Sequence, residues 1–101
     1  MRNKFTIRYL PAAEEDLLSI YDWIEKDDIS KAERYVEELD KRIGSLAQNP
    51  FPGRIPRLAR LRDLRYRVLI VDKYLVFYKI RVRVVLIYRV IHGSRQLDDI
   101  L

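Results

Sequence analysis

The hydrophobic positions of this chain change period twice. Across residues 4–10 (KFTIRYL), Phe5, Ile7 and Tyr9 alternate with polar neighbours, the twofold repeat of a strand with one covered face. Pro11 suits the first turn of a helix, where its missing N–H costs nothing. From residue 12 to about residue 26 the repeat lengthens. Leu17, Ile20, Tyr21 and Ile24 fall three or four residues apart, and Glu14, Glu15, Asp16, Asp22 and Glu25 are assigned to the other side. This predicts an amphipathic helix with its acids favourably placed near the N-terminus. Ser30, with Glu33 three residues on, reads as a capping box that opens a second helix. Ala32, Tyr35, Val36, Leu39, Ile43 and Leu46 then mark one stripe. Gly44 within it costs about 1 kcal/mol of propensity, which a stripe this long absorbs. Few residues join the two helices, so they are expected to form an antiparallel hairpin.

The sequence NPFPGRIP (49–56) stops the second helix with three prolines and a glycine. RLARLRDL (57–64) is compatible with a short helical turn or a basic loop. Three strand-like runs follow, at 65–71, 74–80 and 83–91. The first turn is Asp72–Lys73 and the second lies in Arg81–Val82–Arg83, which predicts an antiparallel meander. The expected architecture is a single α+β domain over 1–101: two layers in the order β-α-α-β-β-β, the helical hairpin packed on an antiparallel sheet.

Composition narrows the classes. The chain has 101 residues, 49% hydrophobic and 35% charged, enough for one core and unlike a disordered chain. No apolar run approaches a membrane span, and acids follow the N-terminus too closely for a signal peptide, which points to a cytoplasmic protein. With no cysteine and one histidine, neither disulfides nor a thiolate- or histidine-rich metal site is expected, and nothing calls for a cofactor. The net charge of +5 is unevenly distributed. Residues 1–53 carry 8 basic and 11 acidic side chains, residues 54–95 carry 12 and 2, and the last six add two acids. A field of one sign over the second half implies an acidic partner or a polyanion.

No phosphate-binding loop, dinucleotide fingerprint or serine elbow is present. Arginines and tyrosines instead interleave along the predicted sheet. Arg65, Arg67, Arg83 and Arg89 alternate with Tyr66, Tyr74, Tyr78 and Tyr88, a mixture suited to gripping phosphates and stacking on bases. Arg67 shares its pleat with Leu69 and Val71, and Arg89 with Ile87 and Ile91. An arginine among such neighbours snorkels or lines a groove, and Arg67 is read as lining one. His92, at the end of the last run, offers either a proton-transfer group or a strand cap. Gly93 is read as a turn residue with positive φ, projecting Arg95.

The runs AAEEDLLSIYDWI, KAERYVEELDKRIGSLAQNPFPG, LRYRVLIVDKYLVFYKI and VLIYRVIHGSRQLDDIL resemble, in order and spacing, toxins of the RelE/ParE superfamily from type II toxin–antitoxin modules. The resemblance covers nearly the whole chain. It implies the β-α-α-β-β-β fold, an acidic antitoxin that wraps the toxin, and growth arrest by the free toxin. RelE-like members cut messenger RNA on the ribosome, whereas ParE-like members poison DNA gyrase and need no nuclease centre. By position, Arg67 and Arg95 match phosphate-handling cations of the nucleases, with His92 or Tyr88 available to move a proton. Leu69 and Leu75 stand where those nucleases often have further cations, and Leu101 where a tyrosine is expected. The resemblance therefore favours the ParE branch, with Arg65, Arg67, Arg89, His92 and Arg95 as the binding surface. Alternatives are the RelE-like mRNA endonuclease and a basic nucleic-acid-binding module without toxicity. The helical hairpin also offers a surface for homodimerisation.

Overall fold

The structure, a computed structural model, describes residues 4–95. Leu101 and the paired acids at 98–99 lie outside the described residues. Strand β1 (Thr6–Tyr9) leads into helices α1 (Pro11–Glu25) and α2 (Ile29–Gly44). A 3-10 turn (Ser45–Ala47), the short helix α3 (Ala59–Asp63) and strands β2 (Arg67–Val71), β3 (Tyr74–Arg81) and β4 (Val84–His92) follow. The 57–64 segment thus forms a helical turn.

Pro11 opens α1 without any side-chain cap. The second helix departs from the sequence reading at its start: Asp28, not Ser30, is the N-cap, and its carboxylate accepts the Lys31 N–H at 3.1 Å. Asp28 has the extended backbone a cap requires (φ −160°, ψ 115°), whereas Ser30 already lies inside the helix. An ionised carboxylate is also a stronger acceptor than a hydroxyl.

The sheet order is β1-β4-β3-β2. Strands β2, β3 and β4 form the antiparallel meander, and β1 pairs parallel to β4, with Tyr9 opposite Ile87 as its last pair. The sheet is therefore mixed, and the order β-α-α-β-β-β holds. On its helix-facing side, Leu39, Ile43 and Leu46 pack with Val76, Tyr78, Val85 and Ile87, all essentially inaccessible to solvent. The opposite face has its own smaller cluster of Leu61, Tyr66, Phe77 and Ile91, covered by α3.

A register shift opposite Phe77 and Tyr78 changes the pleat of β4. Ile87 faces the helices while Ile91 joins the opposite cluster, so the expected shared face of Ile87, Arg89 and Ile91 does not exist. A bulge inserts one residue, and every side chain beyond it changes sides.

Candidate functional site

Arg67 stands on the helix-facing side, paired with the fully buried Tyr78. Its Nη1 donates to the carbonyl oxygens of Phe51 at 3.2 Å and Gly53 at 3.0 Å, and its guanidinium lies 5.4 Å from the Phe51 ring centroid. Tyr78 secures the same loop: its hydroxyl donates to Pro50 O at 2.7 Å and accepts the Gly53 N–H at 3.1 Å. Arg67 thus clamps the 50–53 loop, and it also lines a recess with Ile55, Arg62, Arg65 and Tyr66.

Arg89 is likewise engaged. Its Nε and Nη2 donate to the two carboxylate oxygens of Asp16 at 2.7 and 2.9 Å, a bidentate pair that holds the guanidinium pKa above its ordinary value despite partial burial. The same carboxylate accepts the Val90 N–H at 2.9 Å. Because β1 ends at Tyr9 opposite Ile87, Asp16 supplies the acceptor that Val90 would otherwise lack. Asp16 is half-buried and does not belong to the polar face of α1. The sequence held the signal, since Ala13, Asp16, Leu17, Ile20 and Ile24 share one helical repeat.

His92 and Arg95 sit at the far end of β4. The His92 Nδ1 accepts the Ser94 N–H at 3.1 Å, with Ser94 Oγ 2.8 Å away, so the ring closes the strand end locally. Its ring also meets Tyr74 edge-on at 5.5 Å between centroids. Gly93 does not take positive φ; among the described residues the left-handed ones are Arg65, Asp72 and Val82. Its N–H instead bonds Lys73 O at 2.9 Å, extending the strand pairing. Arg95 is exposed.

Tyr88 belongs to the opposite face, edge-on to Tyr66 at 5.1 Å. Lys79 lies over both rings, 4.4 Å from Tyr66 and 5.0 Å from Tyr88, a cation–π arrangement absent from the sequence reading. Burial, then the charge of Arg81, depress the Lys79 pKa. Arg67, Tyr88, His92 and Arg95 are therefore not gathered around one point, as cleavage of a phosphodiester would need. The five residues read as one binding surface divide into three places: Arg65 and Arg67 at the start of β2, Arg89 against α1, and His92 with Arg95 at the end of β4.

Three recesses lie beside these groups. At the tip of the helical hairpin, Trp23, Lys31, Tyr35, Tyr74 and His92 line a cavity of about 260 Å³. Tyr35 donates to Asp72 there at 2.7 Å, and burial followed by that bond drive its pKa upward. Between α1 and α2, Tyr9, Glu14, Leu17, Leu18, Tyr21 and Val36 line an apolar groove of about 360 Å³. Tyr9 is fixed beside it by a hydrogen bond to Asp40, and desolvation with that bond raises its pKa strongly. The third, about 250 Å³, is formed by Ile55, Arg62, Arg65, Tyr66 and Arg67.

A family model described as ParE toxin of type II toxin-antitoxin system, parDE, matches residues 7–97. Among solved structures, one of the chromosomal ParDE TA system from P. aeruginosa superimposes with a TM-score of 0.74 at 19% identity, covering 88% of this chain and 96% of that one. At that identity the likeness is one of fold. No curated protein matches the chain. Among the described residues, no helix is long and apolar enough to cross a membrane.

Proposed function

The chain belongs to the ParE toxin family of type II toxin–antitoxin systems, and we propose that it arrests growth by binding DNA gyrase and not by cutting RNA. The observation that carries this reading is the dispersal of the candidate catalytic groups. Arg67 is tied to loop carbonyls, Tyr88 lies on the opposite face, and His92 is bonded within its own turn. Strand-end cations and exposed apolar side chains can grip a protein without any proton transfer.

The antitoxin is the partner that the family implies, and the groove between α1 and α2 is its seat. Leu17, Leu18, Tyr21 and Val36 offer an almost wholly apolar floor, with Leu18 64% exposed in the free chain. An acidic, partly disordered antitoxin would lay the apolar face of a helix there and direct its charges toward the cationic second half of the chain. Purified toxin should retain gyrase from solution and leave ribosome-bound mRNA intact. Cleavage of that mRNA with no retention of gyrase would replace this reading with the endonuclease.

A further inference from the structure

We propose that Arg62, Arg65 and Arg67 form a phosphate-binding recess through which the toxin itself contacts the backbone of duplex DNA. Residues 54–67 contain six arginines, no lysine and one acid, Asp63. Three of these arginines line the recess at the edge of the sheet where β2 begins. Guanidinium groups match phosphate oxygens in planar pairs of hydrogen bonds, which ammonium groups do not. Arg67 contributes with its Nη1 already directed to Phe51 O and Gly53 O, which fixes the plane of its guanidinium.

The backbone at Arg65 supplies an independent observation. Helix α3 ends with the Tyr66 N–H on Leu61 O at 3.0 Å and the Arg65 N–H on Arg62 O at 3.0 Å, and Arg65 has φ 66°. This is a Schellman ending, in which Arg65 occupies the left-handed position that ordinarily holds glycine. A side chain there is strained. The Arg65 side chain is exposed, and neither it nor the Arg62 side chain makes a hydrogen bond or ion pair within the described residues. Among the described residues no side-chain hydrogen bond or ion pair offsets that strain. A strained, exposed cation beside two others is accounted for by an anion from outside.

Duplex DNA fits this recess better than an acidic peptide does. The recess offers a peptide only Ile55 and the ring of Tyr66 beside three arginines, whereas the groove between α1 and α2 is nearly all apolar. The molecule thus separates an apolar seat for a helix from a cationic seat for phosphate.

The test is fluorescence anisotropy of a short labelled DNA duplex titrated with the full-length toxin over a range of salt. Wild type, Arg65→Gly, Arg62→Ala and the exposed helical control Arg34→Ala are compared, with polyglutamate as competitor. Three phosphate contacts predict a log–log salt slope of about −3, since each contributes roughly 0.9. Arg65→Gly and Arg62→Ala each reduce that slope by about 1 and weaken binding, whereas Arg34→Ala leaves it in place. Arg65→Gly also melts at the same temperature as wild type or higher, which separates lost binding from lost fold.

Wild type that does not bind duplex at low salt, or an Arg65→Gly protein with unchanged affinity and slope, overturns the proposal. Polyglutamate that displaces the duplex at equal charge concentration, with the same dependence on Arg65, makes the recess a carboxylate site and also overturns it. Supercoiling measured on the same wild-type samples distinguishes the two readings. Duplex binding without gyrase inhibition keeps this site and rejects the gyrase target; gyrase inhibition without duplex binding does the reverse.

Discussion

Tyr78→Phe isolates the clamp on the 50–53 loop. Tyr78 is fully buried, and its hydroxyl makes two hydrogen bonds, to Pro50 O and from the Gly53 N–H. Removing it leaves a buried backbone acceptor and donor without a partner while the ring still fills its place. A buried group left unsatisfied costs about 1–3 kcal/mol, so a loss of roughly 2 kcal/mol is expected. For a domain of this size that is a fall in Tm of about 8–16 °C, at 4–8 °C per kcal/mol. Gly53 gives an internal check, because a Cβ added there would lie 2.8 Å from two ring carbons of Tyr78 and closer still to its hydroxyl. Gly53→Ala alone should destabilise through that clash. Combined with Tyr78→Phe it should cost less than the two changes summed, because the hydroxyl it strikes is gone. Differential scanning calorimetry of the two single variants and the double variant measures this coupling. A Tyr78→Phe protein that melts with wild type, or strictly additive losses, would refute the account of this loop.

Asp16→Ala removes the carboxylate bonded to both the half-buried Arg89 guanidinium and the Val90 N–H; a loss of about 2 kcal/mol is expected from these charge-assisted bonds, and urea unfolding checks it. Tyr9 and Tyr35 both have pKa values raised by desolvation and by their carboxylate partners. Their contribution to stability is whole below the unfolded tyrosine value of about 10 and falls as pH climbs above it, so alkaline unfolding should coincide with late tyrosinate absorbance. An ordinary tyrosine titration at constant stability would contradict this. Leu18→Glu places a charge in the apolar groove at an exposed position, so the fold should survive while antitoxin affinity falls about tenfold or more, as read by calorimetric titration; unchanged affinity would move the antitoxin elsewhere.

The layers were legible in the sequence because each element carries a clean period. Phe5, Ile7 and Tyr9 mark a strand, and Ala32, Leu39 and Ile43 mark a helix face that is buried as expected. The parallel pairing of β1 with β4 was not legible, since it joins residues almost eighty positions apart and leaves no local trace. The bulge opposite Phe77 and Tyr78 was equally hidden, and it undid the pleat assigned to Arg89 and Ile91. Asp16 was readable from its spacing, but an acid is assigned to solvent unless its partner is known, and Arg89 lies 73 residues away. For Arg67 the unforeseen partners were backbone carbonyls of the proline-rich loop, which carry no sequence signature. Nor does glycine mark the left-handed positions: among the described residues positive φ falls on Arg65, Asp72 and Val82 and on no glycine.

Whether the toxin acts by occupying gyrase, as proposed, is read from relaxed plasmid incubated with gyrase, ATP and increasing purified toxin. Supercoiling should fall as toxin approaches equivalence with the enzyme and return when the cognate antitoxin is added. Full supercoiling with toxin in large excess would contradict the account.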